Sequence, residues 1–258
     1  MSYRKELMEL AFSTNSENDF YDGLVDLNAA RSRNLHATQF FRDFNNGTSI
    51  VEDDIMLSKY IAAYAHKHFA KLDFVLKNVE GNHLGNKKLI VDYGCGQAIG
   101  TISILRWALF NFGRGFFDGL YVKLIEPSSE ALCRAVSHIN KFCTVYGLPI
   151  INVDCFQNLL GNGIAALVSG EPTIHVFSNI LDVPSVDSRI LVDELKDTSG
   201  IYICASPYID DVRNAWSRDF AMAISNRQFV EMSQQIKGVR YYDVYRDCYD
   251  SCGVAFHG

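Results

Sequence analysis

Residues 88–101 read Lys-Leu-Ile-Val-Asp-Tyr-Gly-Cys-Gly-Gln-Ala-Ile-Gly-Thr. Leu89, Ile90 and Val91 form a short apolar run of the kind that becomes a buried parallel strand, and Asp92 with glycines at 94 and 96 ends it. A strand that breaks into glycines and restarts as a helix exposes bare backbone to a ligand, because glycine lacks the Cβ that would hold one away. The helix start adds unpaired N–H groups. A tight strand-to-helix turn without a ligand uses the same residue types, so the flanking segments decide between the two.

Glycine spacing separates the candidate ligands. The dinucleotide pattern G-x-G-x-x-G needs glycine at position 99, which is Ile99 here, and this disfavours a nicotinamide-dependent oxidoreductase. A phosphate-binding loop needs Gly-Lys-Ser/Thr, and none follows Gly96. Asp92 instead stands two positions before Gly94, followed by Gly96, Ala98 and Gly100.

That arrangement resembles motif I of the class I S-adenosylmethionine-dependent methyltransferases, a hydrophobic strand followed by D/E-x-G-x-G-x-G. Ala98 stands where the family usually has its third glycine. The resemblance implies S-adenosyl-L-methionine as cofactor, with Asp92, Gly94, Cys95 and Gly96 around it. A carboxylate near a positive, amine-bearing ligand end makes better electrostatic sense than one beside a pyrophosphate.

The flanks extend the pattern. Thr101–Phe110 is apolar on nearly every side, as in a helix packed deep against a sheet. After a Gly- and Phe-rich loop at 111–119, Tyr121–Ile125 reads as a second strand ending at Glu126-Pro127. A carboxylate there can accept both ribose hydroxyl protons, and the resemblance puts Glu126 in that role with Pro127 beside it. The plain alternative is a surface glutamate that ends a strand.

Ser128 and Ser129 offer N-caps for a helix whose stripe includes Leu132, Val136, Ile139 and Phe142, stopped by Gly147 and Pro149. Ile150–Val153 then reads as a third strand delivering Asp154, Cys155 and Phe156 into a loop. The resemblance implies that Asp154 bonds the adenine amino group and that its two neighbours pack at the ring; a solvated turn aspartate is the alternative. The fourth strand, Thr173–Phe177, leads into Ser178-Asn179-Ile180-Leu181-Asp182. Ligands of open α/β sheets sit beyond the carboxyl ends of strands, so Ser178 and Asn179 fall on the cofactor side and Asp182 near the acceptor, unless Asn179 serves only to cap the following helix. The Asp/Asn-Pro-Pro-Tyr/Phe motif of methylation at base amino or glutamine amide nitrogens is absent. A fifth strand, Ile201–Cys204, brings Ser206 and Tyr208 either toward substrate or into a proline turn. Strand character at 239–246 and 254–257 predicts a terminal hairpin, which is how the family finishes.

At 258 residues and 48% hydrophobic content, the chain can bury a full core. The expected fold is α/β: a doubly wound, seven-stranded, mostly parallel sheet over 87–258 with an N-terminal helical appendage over 1–86. In that appendage Asp53–Leu72 has helical apolar spacing, and turns are expected at 15–22 and 45–48. Tyr60 and Tyr64, one turn apart, either line an acceptor pocket or pack in the core. His66 and His68 point to different helix faces, so they are poor joint metal ligands.

No apolar run nears the roughly 20 residues of a membrane span, and no signal-peptide core is visible. Seven scattered cysteines suit reduced thiols in a cytoplasmic protein, and Cys248 and Cys252 lack nearby partners for zinc, so no metal is expected. A net charge of −6 argues against a broad nucleic-acid footprint, with Arg31, Arg33 and Arg42 read as a solvated cluster.

The expected activity is S-adenosylmethionine-dependent methyl transfer, with a small molecule or protein as acceptor before nucleic acid. In-line displacement needs alignment more than a catalytic triad, and none is visible. Ala98 and the lack of an acceptor motif leave one alternative, a catalytically degenerate subunit of this fold that works by binding a partner protein.

Overall fold

The computed structural model describes residues 2–32, 49–77, 79, 88–158, 160–161, 163–168, 173–181, 183, 186–198, 200–207, 220, 236–242 and 248–257. Among the described residues, the helices α1 (Tyr3–Glu9), α2 (Asp19–Arg31) and α3 (Asp54–Lys77) precede the sheet. Alternating strands and helices follow: β1 (Leu89–Tyr93), α4 (Ile99–Phe112), β2 (Tyr121–Ile125), α5 (Ser129–Tyr146), β3 (Asn152–Phe156), β4 (Thr173–Ser178), α6 (Ser188–Leu195) and β5 (Gly200–Pro207). Two further strands, β6 (Ile236–Tyr242) and β7 (Cys248–His257), close the order.

The sheet runs β3-β2-β1-β4-β5-β7-β6. Strands β1 to β5 pair in parallel, and β7 joins β5 antiparallel with β6 outside it. From β1 the chain winds outward to β3, then crosses to β4 and winds the other way. The carboxyl ends of β1 and β4 therefore flank the topological switch point, where open α/β sheets bind ligands.

Alternation along each strand sends neighbouring side chains to opposite faces. Ile90, Val122, Ile174 and Ile201 enter one buried cluster, while Leu89, Val91, Tyr93 and Tyr202 enter the other. The first cluster also takes Leu7, Phe20, Leu24, Ile61 and Leu72 from the N-terminal helices, so these share a core with α4 and α5. Phe142 of α5 is fully buried against Phe20 of α2, ring centroids 5.2 Å apart. Truncating such a ring to alanine costs about 3–5 kcal/mol. On the second face Tyr93 stacks on Phe177 at 4.3 Å and its hydroxyl meets His175 Nδ1 at 2.9 Å.

Caps set the helix ends. Ser128 Oγ accepts the Ala131 N–H at 3.0 Å at the start of α5, and Gly147, at φ 60°, turns the chain out of it. Sequence expectations shift at several bounds, the first at α2, which begins at Asp19 inside the turn expected over 15–22. Helix α3 continues to Lys77, because Val75 and Leu76 still face the core. Strand β3 starts later than its apolar run and extends to Phe156, since the ladder with β2 pairs Lys123 with Asp154 and Ile125 with Phe156. Asp154, Cys155 and Phe156 are thus strand residues and not a loop.

Candidate functional site

Left-handed backbone appears at every second position after β1: Gly94 (φ 63°), Gly96 (φ 51°) and Ala98 (φ 63°). The reasons differ. A Cβ on Gly94 would lie 2.7 Å from Ile180 Cδ1, whereas one on Gly96 would meet nothing within 4 Å. The first glycine is needed for packing, and the second leaves open space above the backbone. Ala98 is fully buried in the first core cluster, so its methyl group packs inward. Its left-handed conformation costs about 1–2 kcal/mol.

Backbone bonds fix the turn to β2. The Cys95 N–H donates to Ile125 O at 3.0 Å, and the Ala98 N–H donates to Cys95 O at 2.8 Å. The Gly96 N–H donates to Glu126 Oε2 at 3.0 Å, while Glu126 Oε1 accepts the Ser128 N–H at 3.1 Å. Glu126 therefore spans the first and second βα turns.

Above these turns lies a cavity of about 370 Å³. Its walls are the turn from Gly94 to Gln97, Glu126 to Ser128, Ser178 to Ile180, and Leu57, Tyr60, Ile61 and His68 of α3. Ser49, Ile50 and Val51 close one side. The volume falls in the range of small-molecule sites.

Charge near the cavity is costly. Burial raises the Glu126 carboxyl above its ordinary range, partly offset by its two N–H donors. Asp92 is fully buried, and burial pushes its carboxyl up to about 7 despite bonds from the Thr101 N–H (2.9 Å) and Oγ (2.8 Å) to Oδ2. Its Oδ1 has no partner among the described residues. Burial likewise drives the Cys95 thiol upward and His68 well below the usual imidazole range, the latter helped by Lys71 and Lys67.

The structure brings Gly94, Cys95, Gly96, Glu126, Pro127, Ser178, Asn179 and Tyr60 to this one cavity. Asn179 is itself left-handed at φ 57°, held by its N–H to Ala205 O at 2.6 Å and by Lys71 Nζ on its Oδ1. Asp92 lies behind the turn, since alternation puts it on the Ile90 face, toward the start of α4. Asp154 accepts the Tyr121 hydroxyl at 2.5 Å on the exposed edge of the sheet, Cys155 is exposed, and Phe156 packs on the second core cluster; none of the three is in the cavity wall. Tyr64 stands behind Tyr60, ring centroids 4.8 Å apart. Ser206 lies on β5 opposite Cys252. Asp182 and Tyr208 fall outside the described residues.

Sequence reasoning passed over the struts of the turn. Gln97 is buried; its Nε2 donates to Leu57 O at 2.9 Å and its Oε1 accepts from Arg134 at 3.2 Å. Arg134 also bonds Ser58 at 3.1 Å, pairs with Asp54 and lies 3.7 Å over the Tyr3 ring. His138 Nδ1 bonds Gln97 O at 2.8 Å and its Nε2 meets the Tyr3 hydroxyl at 2.6 Å, so Nδ1 carries the proton. Burial lowers this imidazole to about 4, which keeps it neutral. Ahead of α3, Glu52 accepts the Ser129 and Glu130 N–H groups at 3.1 and 3.2 Å, and Val51 O accepts the Ser128 hydroxyl. His68 was also missed as a wall residue. A line of Tyr60, Tyr64 and His68 at four-residue spacing beside an apolar stripe is the signal that could have found it.

No protein-family model and no curated protein matches this chain. Solved methyltransferase structures align with it. An O-methyltransferase family protein from Burkholderia thailandensis is 13% identical, with 94% of this chain and 73% of that one covered, at a TM-score of 0.45. Magnesium protoporphyrin IX methyltransferase from Synechocystis PCC 6803, with bound S-adenosylmethionine, is 13% identical over 86% and 97% of the two chains, TM-score 0.41. Geranyl diphosphate C-methyltransferase from Streptomyces coelicolor A3(2) is 11% identical over 96% and 99%, TM-score 0.40.

Among the described residues no helix is long and apolar enough to cross a membrane, and no three His, Cys, Asp or Glu residues converge on a possible metal position.

Proposed function

We propose that this chain is an S-adenosylmethionine-dependent methyltransferase. The observation that carries the reading is the turn at the switch point: Gly96 opens onto the cavity while its N–H is tied to Glu126 at the end of the next strand. The residues fit the cofactor on their own chemistry. Gly96 leaves the space a Cβ would take. Glu126 retains lone pairs beyond its two N–H donors.

In this reading Gly94, Cys95 and Gly96 would hold the methionine end, Glu126 the ribose hydroxyls, and Ser178 and Asn179 the far side. Asp92 would offset positive charge from behind the turn. The bound cofactor supplies an electrophilic methyl group on a sulfonium. The chain's own part is alignment and exclusion of water, with α3 and residues 49–51 covering the cavity. On this proposal residues 1–86 form the substrate-covering segment and 87–258 the cofactor-binding domain, although the two share a core. The acceptor is a small molecule or a protein side chain.

Ala98 motivated a purely binding role. Its methyl group is packed in the core and not in the cavity wall, so it gives no observation in favour of that role.

Isothermal titration with S-adenosylhomocysteine tests the reading. Saturable binding that is weakened in Glu126→Ala is expected; no heat at millimolar ligand would overturn it.

A further inference from the structure

Just beyond β4, the left-handed Asn179 is bonded on both sides of its amide. Nδ2 donates to Ser178 Oγ at 3.0 Å, and Oδ1 accepts from Nζ of Lys71, which reaches it from α3. Lys71 is buried. An ammonium ion donates and never accepts, so it can hold only the oxygen of an amide. Lys71 thereby decides which way the Asn179 side chain faces. With Oδ1 turned to α3 and one Nδ2 hydrogen on Ser178, the second Nδ2 hydrogen is what this side chain offers to the cavity it lines.

The positive charge behind the amide polarises it and makes that N–H a stronger donor. The same charge reaches a second wall residue, since Lys71 helps to lower the proton affinity of His68 on the same helix. A polarised donor backed by a cation suits an anion and repels an ammonium ion.

Topology says which end of a ligand meets it. β1 lies between β2, which leads into Glu126, and β4, which leads into Asn179. A Cβ on Gly94 would strike Ile180, so the segment after β4 rests against the first glycine of the turn. A cofactor whose ribose meets Glu126 and whose chain crosses the glycine turn ends beside Asn179. That end carries a carboxylate.

Resting on the methyltransferase reading, we propose that Lys71 is a positioning residue, which turns the Asn179 amide so that its N–H receives the carboxylate of the cofactor's amino-acid chain.

Two ligands that differ in this group alone test the proposal. One is S-adenosylhomocysteine; the other is its decarboxylated analogue, an adenosyl aminopropyl thioether that keeps the adenosine, the sulfur and the amine. By isothermal titration the parent should prefer S-adenosylhomocysteine by about 10–100-fold, the usual contribution of a hydrogen bond to a charged group. Asn179→Asp tolerates the left-handed backbone and keeps an oxygen for Lys71, but it shows the cavity an acceptor in place of a donor. Its affinity for S-adenosylhomocysteine should fall by about that factor, while the analogue's stays within about threefold, which also reports that the variant folds. Lys71→Met keeps an unbranched apolar stem and releases the amide to flip, so the preference should drop below about threefold.

A preference unchanged in either variant overturns the proposal, as does equal loss of both ligands in Asn179→Asp. A parent that binds the two alike overturns the carboxylate subsite. If neither ligand binds the parent, the underlying methyltransferase reading has failed instead.

Discussion

Glu126 Oε2 accepts the Gly96 N–H at 3.0 Å, and this one bond couples the first and second βα turns across the mouth of the sheet. Glu126→Ala removes it together with the bond to the Ser128 N–H, leaving two partly buried donors to find other partners. A stability loss of about 1–3 kcal/mol is expected, measured by urea unfolding, with S-adenosylhomocysteine affinity down at least tenfold by titration. Intact affinity would show that the carboxylate only braces the backbone.

The two glycines should respond differently. Gly94→Ala forces a left-handed φ and drives a methyl group to within 2.7 Å of Ile180, so thermal stability should fall sharply. Gly96→Ala meets no atom within 4 Å, and strain alone should cost about 1–2 kcal/mol. Its methyl group stands at the cavity, so ligand affinity should fall much further than stability does. Calorimetric scans and titrations on the same preparations separate the two effects.

Asp92 makes stability depend on pH. Its folded pKa of about 7 lies above the ordinary 3.8, so the folded state binds its proton more tightly than the unfolded one. The contribution is fully present below pH 3.8 and lost as pH rises through about 7. Asp92→Asn should therefore gain on the parent across that window and plateau above it, by on the order of 2–4 kcal/mol. Denaturant unfolding at pH 4.5, 6 and 8 checks the trend, and a difference that stays level with pH would refute it.

Arg134 is buried and bonds Asp54, Ser58 and Gln97 at once. Arg134→Ala should cost about 3–5 kcal/mol, and Arg134→Lys should restore little, because one ammonium cannot replace the planar fork. Because α1 to α3 share a core with α4 and α5, unfolding should be a single transition. Circular dichroism and tryptophan fluorescence followed through the same denaturant series should coincide.

Much of the sheet was legible because its strands are short apolar runs ended by glycine, proline or acidic residues. Tyr121–Ile125 shows this, matching the expected bounds. β3 was misplaced because an edge strand buries little: Asn152, Asp154 and Cys155 are exposed, so hydrophobicity does not mark it. The turn and Glu126 were legible from residue type and spacing. Gln97, Arg134 and His138 were not, since each acts through partners about 40 or more positions away, or through a backbone carbonyl. His68 stands in line with Tyr60 and Tyr64 at four-residue spacing, a pattern that pairing it with His66 conceals.

The struts from Gln97 to Leu57, Arg134 and His138 bear on how the chain can be cut. Trimming it to the strands and their crossover helices would discard Leu57, the far end of one strut, and would strip Arg134 of Asp54 and His138 of Tyr3. The glycine turn would keep its sequence and lose its scaffolding. The smallest portable unit of this binding site therefore begins near residue 3 and not at the first strand.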